Sequence, residues 1–333
     1  MKYFITGGSG FIGSYLIKSI INSGDEVTVL VRKNSSLTLS HPRIRVVTGD
    51  VTIKNSFVDA LDGVDCIIHL AGVVTDWARP ELYENVHVQG TRNLMEVGLE
   101  NNIEHVIHIS TCDVLKKEKG KKNLLGRNTE YTNSTVPYSK TKMQGEKIAL
   151  SFIEKGLRVN VIRPVWVYGT GDKTLFSEIA YQLKRRQMVF IGSPYNLIPL
   201  VHVQNLVDFI ITMSKQEKVV GCKVLISDGD ITWKQLVDQI ASTAELKSTN
   251  FTIPFNLANI AGFCSEKIFS ALQLRSRPLL TRTAVEMLGY SLAIDANEKN
   301  LIPYNPSISL QEGLNTATLW IKNNLDALED LRK

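Results

Sequence analysis

Apolar positions along this chain fall into short unbroken runs, separated by stretches in which they recur at helical spacing. The first run, Tyr3-Phe4-Ile5, has no polar alternation, as expected of a strand buried on both faces. Glu26–Val31, Ile44–Thr48, 66–70, 106–110 and 158–163 read the same way. Between them the spacing predicts helices. The first carries Phe11, Ile12, Tyr15, Leu16 and Ile20 and closes near Gly24, a residue suited to the position after a helix end. A short helix covers 54–61, another runs from Pro80, which fits a first turn, to about Asn101, and a fourth spans 137–156. Strands alternating with helices at this interval predict an α/β fold: a doubly wound parallel sheet of the Rossmann kind, with right-handed crossovers.

Beyond Pro164 the pattern loosens. Helical spacing over 173–186, 204–214, 232–244, 254–273, 281–288 and 309–331, with short strands near 188–191 and 223–227, predicts a smaller, helix-rich C-terminal lobe. No linker rich in Gly, Pro or Ser separates it from the first part. The expected division is 1–165 and 166–333, interleaved, with about 200–227 returning to the first domain.

Composition narrows the classes. A chain of 333 residues with 44% hydrophobic and 21% charged residues can bury a sizeable core. Its net charge of +5 is mild and its basic residues do not cluster with aromatics, so no nucleic acid is expected as partner. The four cysteines, Cys66, Cys112, Cys222 and Cys264, lie far apart without a CxxC pair, which argues against a zinc site or a disulfide framework. No metal is expected. The first strand starts at residue 2, leaving no room for a signal peptide, and no apolar run approaches a membrane span. The expectation is a soluble, cytoplasmic protein.

Candidate chemistry sits in two places. After the first strand, Gly7, Gly8, Gly10 and Gly13 lead into the first helix. A strand, a tight glycine turn and a helix N-terminus offer backbone N–H groups and a positive dipole end to a phosphate, here from Gly7, Gly10, Phe11, Ile12 and Gly13. The second strand ends in Val31-Arg32-Lys33, without the carboxylate that would bind a ribose 2′-hydroxyl. The fork of donors on Arg32 suits a 2′-phosphate instead, which favours NADP(H) over NAD(H). The second place is Tyr138-Ser-Lys-Thr-Lys142, where phenol and ammonium share one helix face. A cation about 4 Å from the phenol, at an effective dielectric near 20, is worth roughly 4 kcal/mol, or about three pKa units. That would bring Tyr138 into range for proton transfer near neutral pH.

With these residues in view, the chain resembles the extended short-chain dehydrogenase/reductase family, also described as the NAD-dependent epimerase/dehydratase superfamily, nearly end to end. The resemblance rests on Thr6-Gly-Gly-Ser-Gly-Phe-Ile-Gly13, Gly49-Asp50-Val51, His69-Leu-Ala-Gly72, Gly90-Thr91, Ser110-Thr111, Tyr138-x-x-x-Lys142, Arg163-Pro164 with Tyr168-Gly169, Val201-His202-Val203, and Ser309-Leu-Gln-Glu-Gly313 before Trp320. It implies a catalytic triad of Thr111, Tyr138 and Lys142, with Lys142 also holding the nicotinamide ribose. It further implies that Asp50 and Val51 flank the adenine and that Leu70, Ala71, Gly72, Pro164 and Val167 line the cofactor.

The branch of the family is marked by departures. Trp166 stands where many nucleotide-sugar epimerases and dehydratases carry an Asn for the substrate diphosphate. Thr111 is followed by Cys112-Asp113 rather than the Asp-Glu of sugar dehydratases, and His87 replaces an Asn before Val-x-Gly-Thr. Arg163-Pro-Val-Trp-Val-Tyr-Gly169 and Arg277-Pro-Leu-Leu-Thr-Arg282 are closer to the 3β-hydroxysteroid dehydrogenase and dihydroflavonol reductase branch. Cys112, Asp113, Trp166 and His87 are therefore the candidate substrate contacts, and the indole of Trp166 suits a small molecule with an apolar ring or acyl part. The apolar stretch 255–274 is read as a pocket wall, a lid or a membrane-surface contact, with packing on the second lobe as the plainest alternative. The resemblance also implies a homodimer through the helices at 80–101 and 138–155. The expected activity is hydride transfer between a secondary alcohol and a ketone. A nucleotide-sugar epimerase or dehydratase that uses the cofactor transiently is the alternative, and a non-catalytic cofactor-binding module the third.

Overall fold

Strand β1 (Lys2–Thr6) is the centre of the molecule: Tyr3, Phe4 and Ile5 are wholly buried, with neighbours on both faces of the sheet. The structure is a computed structural model that describes residues 1–118, 122–126, 128–272, 274, 277–278, 280–295 and 305–328. In chain order β1 is followed by α1 (Phe11–Asn22), β2 (Glu26–Val31), β3 (Ile44–Thr48), β4 (Cys66–His69), α2 (Pro80–Tyr83), α3 (Gly90–Glu100) and β5 (His105–Ile109). Then come β6 (Lys122–Leu125), α4 (Pro137–Ser151), β7 (Arg158–Pro164), β8 (Trp166–Tyr168), α5 (Leu175–Lys184), β9 (Phe190–Ile191), β10 (Leu197–His202), α6 (Val203–Ser214) and β11 (Lys223–Ile226). The chain ends through β12 (Gly229–Thr232), α7 (Trp233–Thr243), β13 (Thr252–Ile253), α8 (Phe255–Ala271), α9 (Arg282–Gly289), β14 (Ser291–Ile294) and α10 (Leu310–Asn323).

Seven parallel strands form the main sheet in the order β11-β7-β5-β4-β1-β2-β3. The chain winds outward from β1 to β3, then returns to β4 on the other side of β1. That reversal opens a crevice at the carboxyl ends of β1 and β4, where ligands bind in such sheets. Side-chain alternation along β1 divides the core. Tyr3 and Ile5 pack with Leu16 and Ile17 of α1 and Leu206 and Ile210 of α6, while Phe4 packs with Leu94 of α3 and Ala149 of α4. So α6 and β11, late in the sequence, cover and extend the first sheet. A second core around Phe176, Trp233, Leu236 and Leu314 holds the rest of the C-terminal part together.

The structure departs from the sequence reading in identifiable ways. The segment 54–61 is two 3₁₀ turns, Lys54–Ser56 and Val58–Ala60, because the Ser56 hydroxyl donates to the backbone carbonyls of Asp50 and Ile53. The helix at 80–101 is interrupted by a π-helical stretch, Glu84–Gln89, which carries His87. The strand expected near 188–191 is β9, whereas its partner β13, the three-stranded sheet β12-β10-β8 and the pair β14-β6 lay outside the reading. Helix α8 buries only Ala258 and Gly262, the latter against Thr281 and Arg282, and leaves Leu257, Ile260 and Ile268 more than half exposed. Among the described residues, no helix is long and apolar enough to cross a membrane.

Candidate active site

The turn after β1 closes tightly. Gly7 has φ +76°, and a Cβ there would lie 2.7 Å from the Ala71 nitrogen, so both its conformation and its neighbour demand glycine. The turn is held by the Gly10 N–H donating to the Gly7 carbonyl, and Ala71 N–H donates to Thr6 Oγ1. Helix α1 begins at Gly10 with no side-chain cap, which leaves its first-turn N–H groups, those of Phe11, Ile12 and Gly13, for an incoming anion. Leu70, Ala71 and Gly72 run alongside, directly after β4. Arg32 is exposed just past β2, and among the described residues no carboxylate pairs with it. Asp50 Oδ1 accepts from the backbone N–H and hydroxyl of Thr52, and Val51 is buried against Gly90. Pro164 ends β7 and Val167 lies in β8. An uncapped helix start behind a glycine-rich turn fits the pyrophosphate of a dinucleotide.

Helix α4 carries Tyr138, Lys142 and Glu146 one turn apart on a single face. Lys142 Nζ donates to the Ile109 carbonyl at 2.7 Å, tying the helix to the end of β5. The buried Glu146 carboxylate accepts from Ser110 Oγ (2.6 Å), Tyr131 OH (2.8 Å) and the Arg163 guanidinium. Thr111 follows β5; its hydroxyl donates to Asp113 Oδ2 at 3.1 Å and accepts from the Asp113 N–H. The Tyr138 ring stands edge-on to His87, with ring centroids 5.8 Å apart.

The electrostatics reverse the expectation for Tyr138. Its ring is partly open, but its hydroxyl is enclosed by protein, and burial pushes the phenol well above its ordinary value. Asp113 pushes it further, while a hydrogen bond with Thr111 acts the other way. Lys142 is not among the groups that shift it; its ammonium donates to the Ile109 carbonyl. Lys142 itself is brought down to about 8 by burial, partly offset by Glu146. Burial also holds His69 at about 3, His87 at about 2 and His108 far below the imidazole range, and Lys142 drives each lower. All three histidines are neutral beside the site.

The candidate substrate residues fare differently. Asp113 lines a polar cavity of about 100 Å³ beside the start of α4, with Lys117, Ser134, Ser139, Glu286 and Tyr290. Lys117 pairs with Asp113. Cys112 is buried in the main core, its thiol pushed up to about 12 by burial, and does not line that cavity. His87 is 2% exposed with both ring nitrogens engaged: Nε2 accepts from the Val73 N–H, so Nδ1–H is left to donate to Thr141 Oγ1. It braces α4 against the segment after β4 and has no group left for a substrate. Trp166 is half-buried, edge-on to Trp233 with centroids 6.0 Å apart, and does not border the cavity. No α8 residue borders it either. On the same loop as Lys117, Lys116 pairs with Glu130. Three residues escaped the sequence reading. Glu146 was detectable as a carboxylate one turn past Lys142, whereas Lys117 and Glu286 meet only through tertiary folding. Among the described residues no cluster of His, Cys, Asp or Glu is disposed to hold a metal.

The reversal of the parallel sheet at β1 and the glycine turn beneath it define an NAD(P)-dependent enzyme of the extended short-chain dehydrogenase/reductase type. The chain belongs to the NAD dependent epimerase/dehydratase family, whose model matches residues 3–225. It is 25% identical over 330 residues to the 2-alkyl-3-oxoalkanoate reductase of Stenotrophomonas maltophilia, covering 94% of this chain and 97% of that one. It is 21% identical to the 4-hydroxy-2-methyl-3-oxo-4-farnesyl-3,4-dihydroquinoline-1-oxide ketoreductase of Stigmatella aurantiaca, over 94% of this chain and 95% of that one. Among solved structures it shares the fold of the dTDP-glucose 4,6-dehydratase DesIV from Streptomyces venezuelae, solved with NAD and TYD bound. The TM-score is 0.77 at 22% identity, covering 99% of this chain and 100% of that one.

Proposed function

We propose that this enzyme reduces a ketone to a secondary alcohol with NADP(H), using Thr111, Tyr138 and Lys142. The observation that carries the reading is the enclosed, neutral phenol of Tyr138 beside the Thr111 hydroxyl at the carboxyl end of β5. At neutral pH that phenol carries its proton and can give it to a carbonyl oxygen, the part a general acid plays in reduction. The cofactor, when bound, would supply a hydride; Tyr138 would give its proton to the carbonyl oxygen, and the Thr111 hydroxyl, turned from Asp113, would donate to the same oxygen. Lys142, charged below about pH 8, holds the ribose and keeps α4 in register. Arg32 would take the 2′-phosphate. Residues 1–165 serve the cofactor and 166–333 the substrate, with α6 and β11 shared. The names of the two reductase relatives, together with the half-open indole of Trp166, support a ketone bearing an acyl chain or ring.

The family also contains enzymes that use the cofactor transiently. Against a sugar dehydratase stands the single carboxylate, Asp113, after Thr111, with Cys112 turned into the core. Absorbance of the reduced nicotinamide, followed with ketone panels and with nucleotide sugars, separates the two. Net oxidation with a ketone supports reduction, and sugar conversion without net change supports the alternative. Tyr138→Phe should cut turnover by at least about a hundredfold while cofactor binding persists. A Tyr138→Phe enzyme that keeps most of its activity would refute the mechanism.

A further inference from the structure

Helix α8 is held from one side. Ala258 is wholly buried, Gly262 lies against Thr281 and Arg282, and the Phe269 ring stands edge-on to Trp77. Around the other side Leu257, Ala261, Cys264, Ile268 and Ala271 recur at alternating intervals of four and three residues, the spacing that sets side chains along one seam between two helices. All five are exposed, with Ile260 and Leu272, each more than half exposed, beside them. The seam carries no charge. Glu266 and Lys267 are the two charged residues of the helix. Glu266 lies behind the seam and accepts from the Arg282 N–H and Nε, and Lys267 sits at its edge, 5.6 Å from the Phe263 ring.

We propose that a second copy of this chain docks on the exposed face of α8, the two α8 helices lying antiparallel about a two-fold axis near their midpoints. Area favours that occupant. Leu257, Ile260, Phe263, Ile268, Leu272 and Leu274 leave roughly 600 Å² of apolar side chain exposed per copy, the upper end for a monomer surface and near the ~800 Å² that each partner gives to a standard interface. Shape favours it as well, because a two-fold contact must be complementary to itself. The large side chains Leu257 and Ile268 stand toward the ends of the seam, and the small ones, Ala261 and Cys264, stand between them. An antiparallel copy then sets Leu257 of each chain against Ile268 of the other and Ala261 against Cys264, so the helix axes approach closely in the middle. A bilayer fits less well. Helices that lie in a membrane surface are rich in Lys and Arg along their polar side. Lys267 is the one cation on α8, and Arg277 and Arg282, on the chain that follows, are committed to Asp76 and Glu266. The face belongs to α8 rather than to the helices at 80–101 and 138–155 through which the resemblance implies a dimer, so the two contacts can be told apart.

The test is sedimentation velocity of wild type and of the Ile260→Asp/Ile268→Asp double variant, each from about 1 to 100 µM. Wild type should associate with a dissociation constant in the micromolar range, and the double variant should weaken that step at least about a hundredfold. If wild type is already a dimer through other helices, the same step is read from dimer to tetramer. Cys264 reports the geometry, since it is exposed whereas Cys66 and Cys112 are buried and Cys222 is half-buried. A short bismaleimide should join two wild-type chains, and Cys264→Ser should abolish the cross-link without changing sedimentation. Thermal melts show whether the double variant keeps its fold; if it does not, the wild-type cross-link decides. Wild type that does not associate by about 100 µM, association unchanged in a folded double variant, or chains that do not cross-link through Cys264 overturns the proposal. Wild type that stays unassociated yet floats with phosphatidylcholine–phosphatidylglycerol vesicles, while the double variant does not, overturns it too and assigns the face to a bilayer.

Discussion

The Arg163 guanidinium grips the Glu146 carboxylate through two hydrogen bonds, Nε to Oε2 at 3.1 Å and Nη2 to Oε1 at 2.5 Å, with the two side chains 1% and 0% exposed. The pair joins α4 to β7, and Ser110 adds the end of β5. It therefore sets the height of Tyr138 and Lys142 above the sheet. Glu146→Ala would leave a buried guanidinium uncompensated, a loss of roughly 3–5 kcal/mol. Thermal melts should show that loss, and replacing both partners together, as Glu146→Met with Arg163→Met, should recover most of it. A single variant as stable as wild type would remove the pair from this role.

Lys142 gives stability a pH dependence of definite sign. Burial lowers its folded-state pKa from 10.5 to about 8, so between those values the unfolded chain holds more protons. Stability from this group is fully present above the unfolded value and is lost as pH falls through about 8. The penalty below that point is about 3 kcal/mol. Lys142→Met should therefore melt higher than wild type at neutral pH, with the gap narrowing as pH rises toward 10.5. A constant gap across that range would mean that Lys142 is not desolvated in the folded protein.

Much of the cofactor half was legible because its signals are local. A tight turn next to β4 needs Gly7, and a strand buried on both faces reads as an unbroken apolar run. The second half hid most of its smaller sheets for a physical reason: β8 and β13 are too short to show a period, and Pro199 inside β10 removes a donor and reads as a strand breaker. The chemistry was only half legible. The spacing of Tyr138 and Lys142 placed both on one face, but their charges were judged as an isolated pair. The fold instead sends Lys142 to a backbone carbonyl, buries the phenol and brings Asp113 beside it, so the shift runs upward. Likewise His87 gave no sign in sequence that Val73 and Thr141 would occupy both of its nitrogens.

Arg32 decides the cofactor preference if a 2′-phosphate is its partner. Charge-assisted hydrogen bonds of this kind contribute about 1.5–3 kcal/mol. Arg32→Ser should weaken NADPH binding by roughly tenfold to a hundredfold and leave NADH nearly unchanged. Fluorescence titration with each cofactor reads this directly. Equal losses for both, or tighter NADH binding by wild type, would place the preference elsewhere.

His108 is buried at the centre of the sheet against His69, with ring centroids 5.3 Å apart, and neither of its ring nitrogens has a hydrogen-bond partner among the described residues. A neutral imidazole there costs desolvation without return, roughly 1–3 kcal/mol. It also makes the fold sensitive to acid. Its folded-state pKa lies far below the ordinary 6.5, as do those of His69 and His87, so the unfolded chain binds more protons as pH falls below that value. Stability from these groups is fully present above the unfolded value and is lost as the pH drops toward their folded values. His108→Leu keeps a similar volume, removes the orphaned nitrogens and deletes one proton from that balance. The variant should melt higher than wild type at neutral pH, and its advantage should widen on acidification by up to about 1.4 kcal/mol per pH unit. Melting curves taken at neutral pH and at mildly acidic pH measure both effects. A variant less stable than wild type at both would show that His108 makes bonds, through ordered water, that the sheet needs.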